Sequence, residues 1–327
     1  MTIEGASLRE PAPPLAGLLG TGLSQDPDAI AMVSAERQMT WRELDRESDS
    51  LAAAYLGLGL APGDRVASLM PNRIGLVVHY LACFKAGLVV TPLNYRYTYR
   101  EIDHALKVSG ARAILAHAER ADDLAESSLA SGLDFGSIDY GSEPDSGGVR
   151  FEALIEGDGT KPPPFDPAPA DPAAIFFTSG STGPAKGVTH SNQSLRWMIA
   201  SARAAFDLTA DDRFLPGSSM SHIGSFLWAL TTLEAGGMVI VARTYDSHEI
   251  LPLLREHRPT VLAMIPAALI ALIRDHDLQP GDFESLRICR SGADKVSTEL
   301  LTEFAATAGF PIDEGYGMTE VGLATLN

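Results

Sequence analysis

Short apolar runs alternate with stretches of helical periodicity along most of this chain. Arg65–Met70 and Val89–Thr91 read as strands separated by a helix over Asn72–Ala86, and a helix over Thr98–Ser109 leads into a strand at Ala113–Ala116. Thr40 with Glu43 and Thr98 with Glu101 have capping-box spacing, while Gly87 and Gly110 stand where a glycine ends a helix. Ala174–Phe177 is a further strand, followed by a helical segment from about Ser191 to Phe206. Beyond it, Met238–Ala242, Thr260–Ile265 and Leu286–Arg290 read as strands, with helices near Asp246–His257, Pro266–Asp275 and Ser297–Ala308. Such alternation builds parallel sheets covered by helices.

Two segments lack sustained periodicity. Ala121 to Gly148 is acidic and serine-rich, and residues 157–172 (GDGTKPPPFDPAPADP) are dense in proline, so they read as surface loop and linker. A chain of 327 residues more readily holds two cores than one. The expected fold class is therefore α/β: a first lobe over residues 1–170 that includes the linker, and a second over 171–327. No short-period repeat is present in the sequence.

Charge narrows the partners. With 25 basic against 42 acidic residues the net charge is −17, which disfavours nucleic acid. Cys83 and Cys289 lie in apolar or strand-like surroundings without metal-site spacing and read as reduced core residues. The N-terminus carries Glu4 and Glu10 and has no signal-peptide pattern, so a cytoplasmic location is expected. Val261–Ile273, the longest uncharged apolar run, is too short to span a bilayer and is broken by Pro266, as a strand entering a helix would be. No membrane span is expected.

The candidate chemistry centres on Thr178–Gly187, TSGSTGPAKG. Gly180, Gly183 and Gly187 let the backbone approach a ligand, and its N–H groups can converge on phosphate oxygens. Thr178, Ser179, Ser181 and Thr182 add hydroxyls and Lys186 a positive charge. Between a strand and a helix, the run has the placement of a phosphate loop rather than of a plain turn. It is not a Walker loop, because Gly187 stands where that motif needs a magnesium-binding Ser or Thr. The sequence has no Gly-x-Ser-x-Gly elbow, His/Cys metal cluster or dinucleotide fingerprint.

Together with Tyr316-Gly-Met-Thr-Glu320, this loop resembles the adenylate-forming superfamily of acyl- and aryl-CoA synthetases, peptide-synthetase adenylation domains and luciferases. Thr40–Leu44, Gly63–Val66 and Lys85–Pro92 are similar to that family's early motifs, so the likeness runs from about residue 25 onward. The resemblance implies two stacked α/β/α lobes in αβαβα-type layering, with a nucleotide site between them. It implies ATP, Mg²⁺ and coenzyme A as cofactors or co-substrates, a small carboxylic acid as substrate, a carrier-protein thiol as the alternative acceptor, and a monomer or homodimer. Family members continue into a small C-terminal domain with a catalytic lysine, and the present sequence reads as most of the large N-terminal domain without it.

Residue by residue, the resemblance assigns the β- and γ-phosphates to residues 178–187 and the α-phosphate to Thr319. Glu320 becomes the Mg²⁺ ligand, since a carboxylate beside a triphosphate needs a shared cation. Tyr316, with Gly315, Gly317 and Met318, stands beside adenine, and the Ser291-Gly292-Ala293 turn lines the adenine pocket; Asp294 and Lys295 depart from the family's small or apolar residues there. His222 matches the position at the acyl-pocket entrance, with Phe226, Trp228 and Met264 expected to line the pocket. Residues 221–228 (SHIGSFLW) lack the Asp with which amino-acid-activating relatives pair an ammonium, which favours an acid without an α-amino group.

Overall fold

The structure is a computed structural model of the chain, and it describes residues 10–143, 148–178, 183–279 and 281–326. The described residues form two sheets. In the eight-stranded sheet the order is Gly322–Leu326, Asp313–Met318, Ile288–Ser291, Val261–Met264, Arg213–Gly217, Met238–Val241, Ile30–Ser34 and Gln38–Thr40. In the seven-stranded sheet it is Val149–Arg150, Ser137–Tyr140, Ala113–His117, Arg65–Leu69, Val89–Pro92, Pro172–Thr178 and Lys186–Ser191. Interior pairs are parallel, and the edge hairpins are antiparallel.

Strand residues alternate between two environments, as a two-period element requires. Val66, Leu115, Phe214 and Val239 point into one core shared by both sheets, where the helices Trp41–Gly57, Ile74–Lys85, Asn192–Phe206 and Ile223–Glu234 also pack. Ala67 and Ile114 face outward beneath the helix Tyr99–Ser109. Leu215, Ile240 and Leu262 face outward beneath Ser247–His257, Pro266–Ile273 and Thr298–Ala308. Five layers result, α/β/α/β/α, as expected.

Local signals place the helices. Thr40 and Glu43 form a reciprocal capping box, and the Glu101 carboxylate accepts from the Thr98 N–H and hydroxyl at 2.8 Å each. Gly110 ends its helix at φ 62°, in the left-handed region that favours glycine. Pro266 opens the helix that follows Val261–Met264. Among the described residues no helix is long and apolar enough to cross a membrane.

The sheets do not divide at 170/171. Ile30–Ser34 pairs with Met238–Val241 in the eight-stranded sheet, while Pro172–Thr178 and Lys186–Ser191 complete the seven-stranded one. Each segment carries a run of buried apolar residues, Ala31–Val33 and Ala173–Phe177. Within the acidic stretch read as loop, Ser137–Tyr140 is a strand beside Ala113–His117. Only Ile138 of its residues is fully buried, too little to leave a periodic signal.

Both cysteines are buried and free, and burial raises their thiol pKa values. Near Cys83, Tyr55 donates to His79 Nδ1 at 2.8 Å, and burial lowers the His79 pKa to about 3. The folded state thus resists a proton that the unfolded state accepts. Stability from this source is complete above the ordinary histidine pKa and falls as pH drops from about 6.5 toward 3, by up to about 1.4 kcal/mol per pH unit. His79→Gln, which keeps a polar partner for Tyr55 but does not titrate there, should flatten the urea-denaturation free energy against pH in this window. An unchanged slope would exclude His79 as the source.

Candidate functional site

Thr178 and Lys186 face each other as the first pair of an antiparallel hairpin, with residues 179–185 between them. The glycine-rich loop therefore joins two strands, a correction to the expected strand-to-helix placement. Val188 and Thr189 are β-branched and pair with Phe176 and Ile175, which favours a strand here, and the helix starts only at Asn192. That helix start is occupied by its own cap, Ser191 Oγ accepting from Ser194 N–H. Ser179, Gly180, Ser181 and Thr182 lie outside the described residues. Gly183 and Lys186 are exposed, and the end of the loop is tethered by His104 Nε2, which donates to the Ala185 carbonyl at 2.7 Å.

On the other sheet, Asp313–Met318 and Gly322–Leu326 form a second hairpin with Thr319, Glu320 and Val321 in its turn. Tyr316 (57% exposed) and Met318 (41%) stand in solvent, as does Glu320. Gly315 leaves room for Arg290: a Cβ there would lie 1.3 Å from Arg290 Nη2, so a side chain would displace the guanidinium. Arg290 is buried, its guanidinium 5.0 Å from the Phe206 ring centroid and 3.4 Å from Asp313, and desolvation lowers its pKa against the Asp313 charge.

Beside this hairpin, Ser291 donates to the Met264 carbonyl at 2.9 Å, a Cβ built at Gly292 would lie 3.0 Å from the Gly315 carbonyl, and Ala293 turns at φ 67°. The turn 291–293 and the segment 315–317 are thus neighbours. Asp294 and Lys295, the departures from the family pattern, are exposed beyond the turn.

His190 was missed in the sequence. It lies on the strand that starts at Lys186, is 3% exposed, and donates from Nε2 to the Thr319 carbonyl at 2.7 Å. Burial lowers its pKa, opposed by that carbonyl and by the Glu320 charge. Once 186–191 is known to be a strand, the two-residue spacing from Lys186 through Val188 to His190 puts all three on one face. Arg290 was missed too, because nothing in the sequence marks which glycine a buried arginine will abut.

The segment after Arg213–Gly217 carries His222. Asn72 clamps it, donating to the Ser218 carbonyl at 3.0 Å and accepting from Met220 N–H at 2.8 Å, while Tyr80 donates to the Met220 carbonyl. His222 precedes the helix Ile223–Glu234 as its N-cap, accessible to water yet surrounded by protein, which lowers its pKa. Phe226 and Trp228 are buried core side chains rather than exposed ones. Phe226 is 1% exposed among Tyr80, Phe84 and Phe176, and Trp228 stacks on Phe206 and Phe214 at 4.2 and 5.5 Å. Both are core, because their helix packs in the core shared by the two sheets and is buried from Ser225 to Glu234. Met264 is also buried, at the carboxyl end of its strand and against Gly217.

Both hairpins, the 291–293 turn and His222 follow the carboxyl ends of strands, where open α/β sheets place ligands. A family model described as AMP-binding enzyme matches residues 21–327. The chain belongs to that family.

The chain is 30% identical over 305 residues to a feruloyl-CoA synthase from Amycolatopsis sp, covering 92% of the present chain and 58% of the relative. It is 30% identical to the fatty acid–[acyl-carrier-protein] ligase ScoC of Streptomyces coeruleorubidus, covering 91% and 56%. Among solved structures, apo MatB from Rhodopseudomonas palustris superposes with a TM-score of 0.83 at 27% identity, covering 96% of this chain and 61% of that one. The chain therefore spans about three-fifths of the length of these relatives. At these strand ends stand the ammonium of Lys186 and the carboxylate of Glu320, neither engaged in an ion pair among the described residues, together with an exposed phenol at Tyr316.

Proposed function

We propose that the chain is the nucleotide-binding and adenylating part of an AMP-forming acid–thiol ligase, acting on a carboxylic acid without an α-amino group. The observation that carries this reading is the juxtaposition at the His190–Thr319 hydrogen bond: the strand led by Lys186 meets the turn that holds Thr319 and Glu320. In the reaction a substrate carboxylate oxygen bonds to the α-phosphorus of ATP, the bond to the bridging oxygen breaks, and pyrophosphate leaves with its charge. Lys186 and the loop hydroxyls would hold the leaving phosphates, and the Thr319 hydroxyl would face the α-phosphate, where negative charge builds.

The Glu320 carboxylate fits a divalent cation. It is exposed, forms no hydrogen bond or ion pair among the described residues, and adjoins the phosphate side of the site. Mg²⁺ is typically held by one or two carboxylates plus substrate phosphates, and when bound would neutralise phosphate charge. Transfer of the acyl group to coenzyme A is the favoured second step. A carrier-protein thiol is the alternative, supported by the name of the Streptomyces relative.

The acid class can be tested without turnover. Non-hydrolysable acyl-adenylate analogues bearing aliphatic, aryl or aminoacyl groups would be titrated into the chain. An aliphatic or aryl analogue should bind about tenfold or more tighter than every aminoacyl one, because an ammonium buried without a partner is costly. Tightest binding by an aminoacyl analogue would overturn the substrate assignment.

A further inference from the structure

We infer that His190 is a positioning residue that sets the turn carrying Thr319 and Glu320 against the phosphate-loop hairpin, so that the cation-binding and phosphate-binding halves of the site act together. This rests on the nucleotide reading above and adds a residue to it.

The halves belong to different sheets. Asp313–Met318 pairs with its parallel neighbour only at Asp313 and Glu314, so from Gly315 onward the hairpin projects beyond the sheet on its own ladder. Its return strand rests on Leu227 and Met198 at Gly322, and among the described residues the turn's polar anchor outside its own hairpin is the His190 hydrogen bond to Thr319. Among the described residues no hydrogen bond other than His190 Nε2 to Thr319 O joins the strand Lys186–Ser191 to residues 313–326. A carbonyl only accepts, so the proton is on Nε2 and the neutral ring suffices.

The ring is held to this task from behind. It is buried in a T-shaped contact with Phe176, centroids 6.1 Å apart, and Phe176 is itself 1% exposed. The backbone of His190 is paired to Ala174 in the sheet. A short rigid lever therefore runs from the seven-stranded sheet to the backbone of Thr319. Lys186 is four residues away on the same strand, so displacement of the turn would change the distance between the phosphate cation and the metal carboxylate.

The test compares ATP affinity, by calorimetry, with Mg²⁺ and with chelator, in wild type and three variants. His190→Phe keeps the ring contact with Phe176 and removes the donor, His190→Gln keeps a donor, and His190→Ala serves if the phenylalanine form does not fold. His190→Phe should lose about five- to tenfold in affinity with Mg²⁺, the usual worth of one hydrogen bond, and stay within about twofold of wild type in chelator. His190→Gln should stay within about twofold in both. A merely structural histidine would lower the thermal midpoint and leave both affinities alone, which overturns the inference, as would equal losses with and without Mg²⁺. Absence of ATP binding in the wild-type chain would instead remove the nucleotide reading, and this inference with it.

Discussion

Trp228→Ala should lower the unfolding free energy by about 3–5 kcal/mol, the cost of truncating a large aromatic in a close-packed core. Trp228 is 8% exposed and sandwiched between Phe206 and Phe214. The loss should not stay local, because Phe206 also carries the Arg290 guanidinium, which abuts Gly315 at the start of the 315–320 motif. Urea denaturation measures the effect, and nucleotide affinity should weaken in the same variant at temperatures where it is still folded. A destabilisation under about 1 kcal/mol, with altered acid preference, would return Trp228 to the substrate pocket.

Lys186→Ala should have the opposite profile. Lys186 is exposed and in no ion pair among the described residues, so folding stability should change by no more than about 0.5 kcal/mol. Its ammonium is nevertheless the cation that the described part of the loop offers to a triphosphate, and removing it should cost about 1.5–3 kcal/mol of ATP binding, roughly ten- to a hundredfold in affinity. Calorimetry in Mg²⁺ reads the loss, which should shrink at high salt as screening weakens the lysine's own contribution. Equal affinities in the two proteins would mean that the loop does not hold the phosphates.

The fold was legible wherever local chemistry marks an element end. The two capping boxes, the left-handed Gly110 and the proline opening Pro266–Ile273 all fix helix termini through interactions made within a few residues. Sheet membership was not legible, because pairing Ile30–Ser34 with Met238–Val241 is a decision made across two hundred residues by mutual burial. Lys186–Ser191 was hidden for a related reason: six residues beside a glycine-rich loop are too few to show a period against the helix that follows.

For the site, the motif supplied Lys186, Tyr316, Thr319 and Glu320, which the structure leaves at the carboxyl ends of two sheets. Phe226 and Trp228 misled because eight residues of an apolar segment cannot distinguish a pocket wall from a helix buried all round, and Ile223–Glu234 is the latter. His190 and Arg290 act through tertiary contacts with backbone more than twenty residues away, and no local pattern encodes those.

We propose that these two hairpins form one magnesium-dependent nucleotide site. Titrating ATP into the wild-type chain, with Mg²⁺ and then with chelator, tests it most directly. Saturable binding at one site per chain, clearly tighter with Mg²⁺, is the predicted result. No ATP binding, or binding indifferent to the chelator, would contradict it.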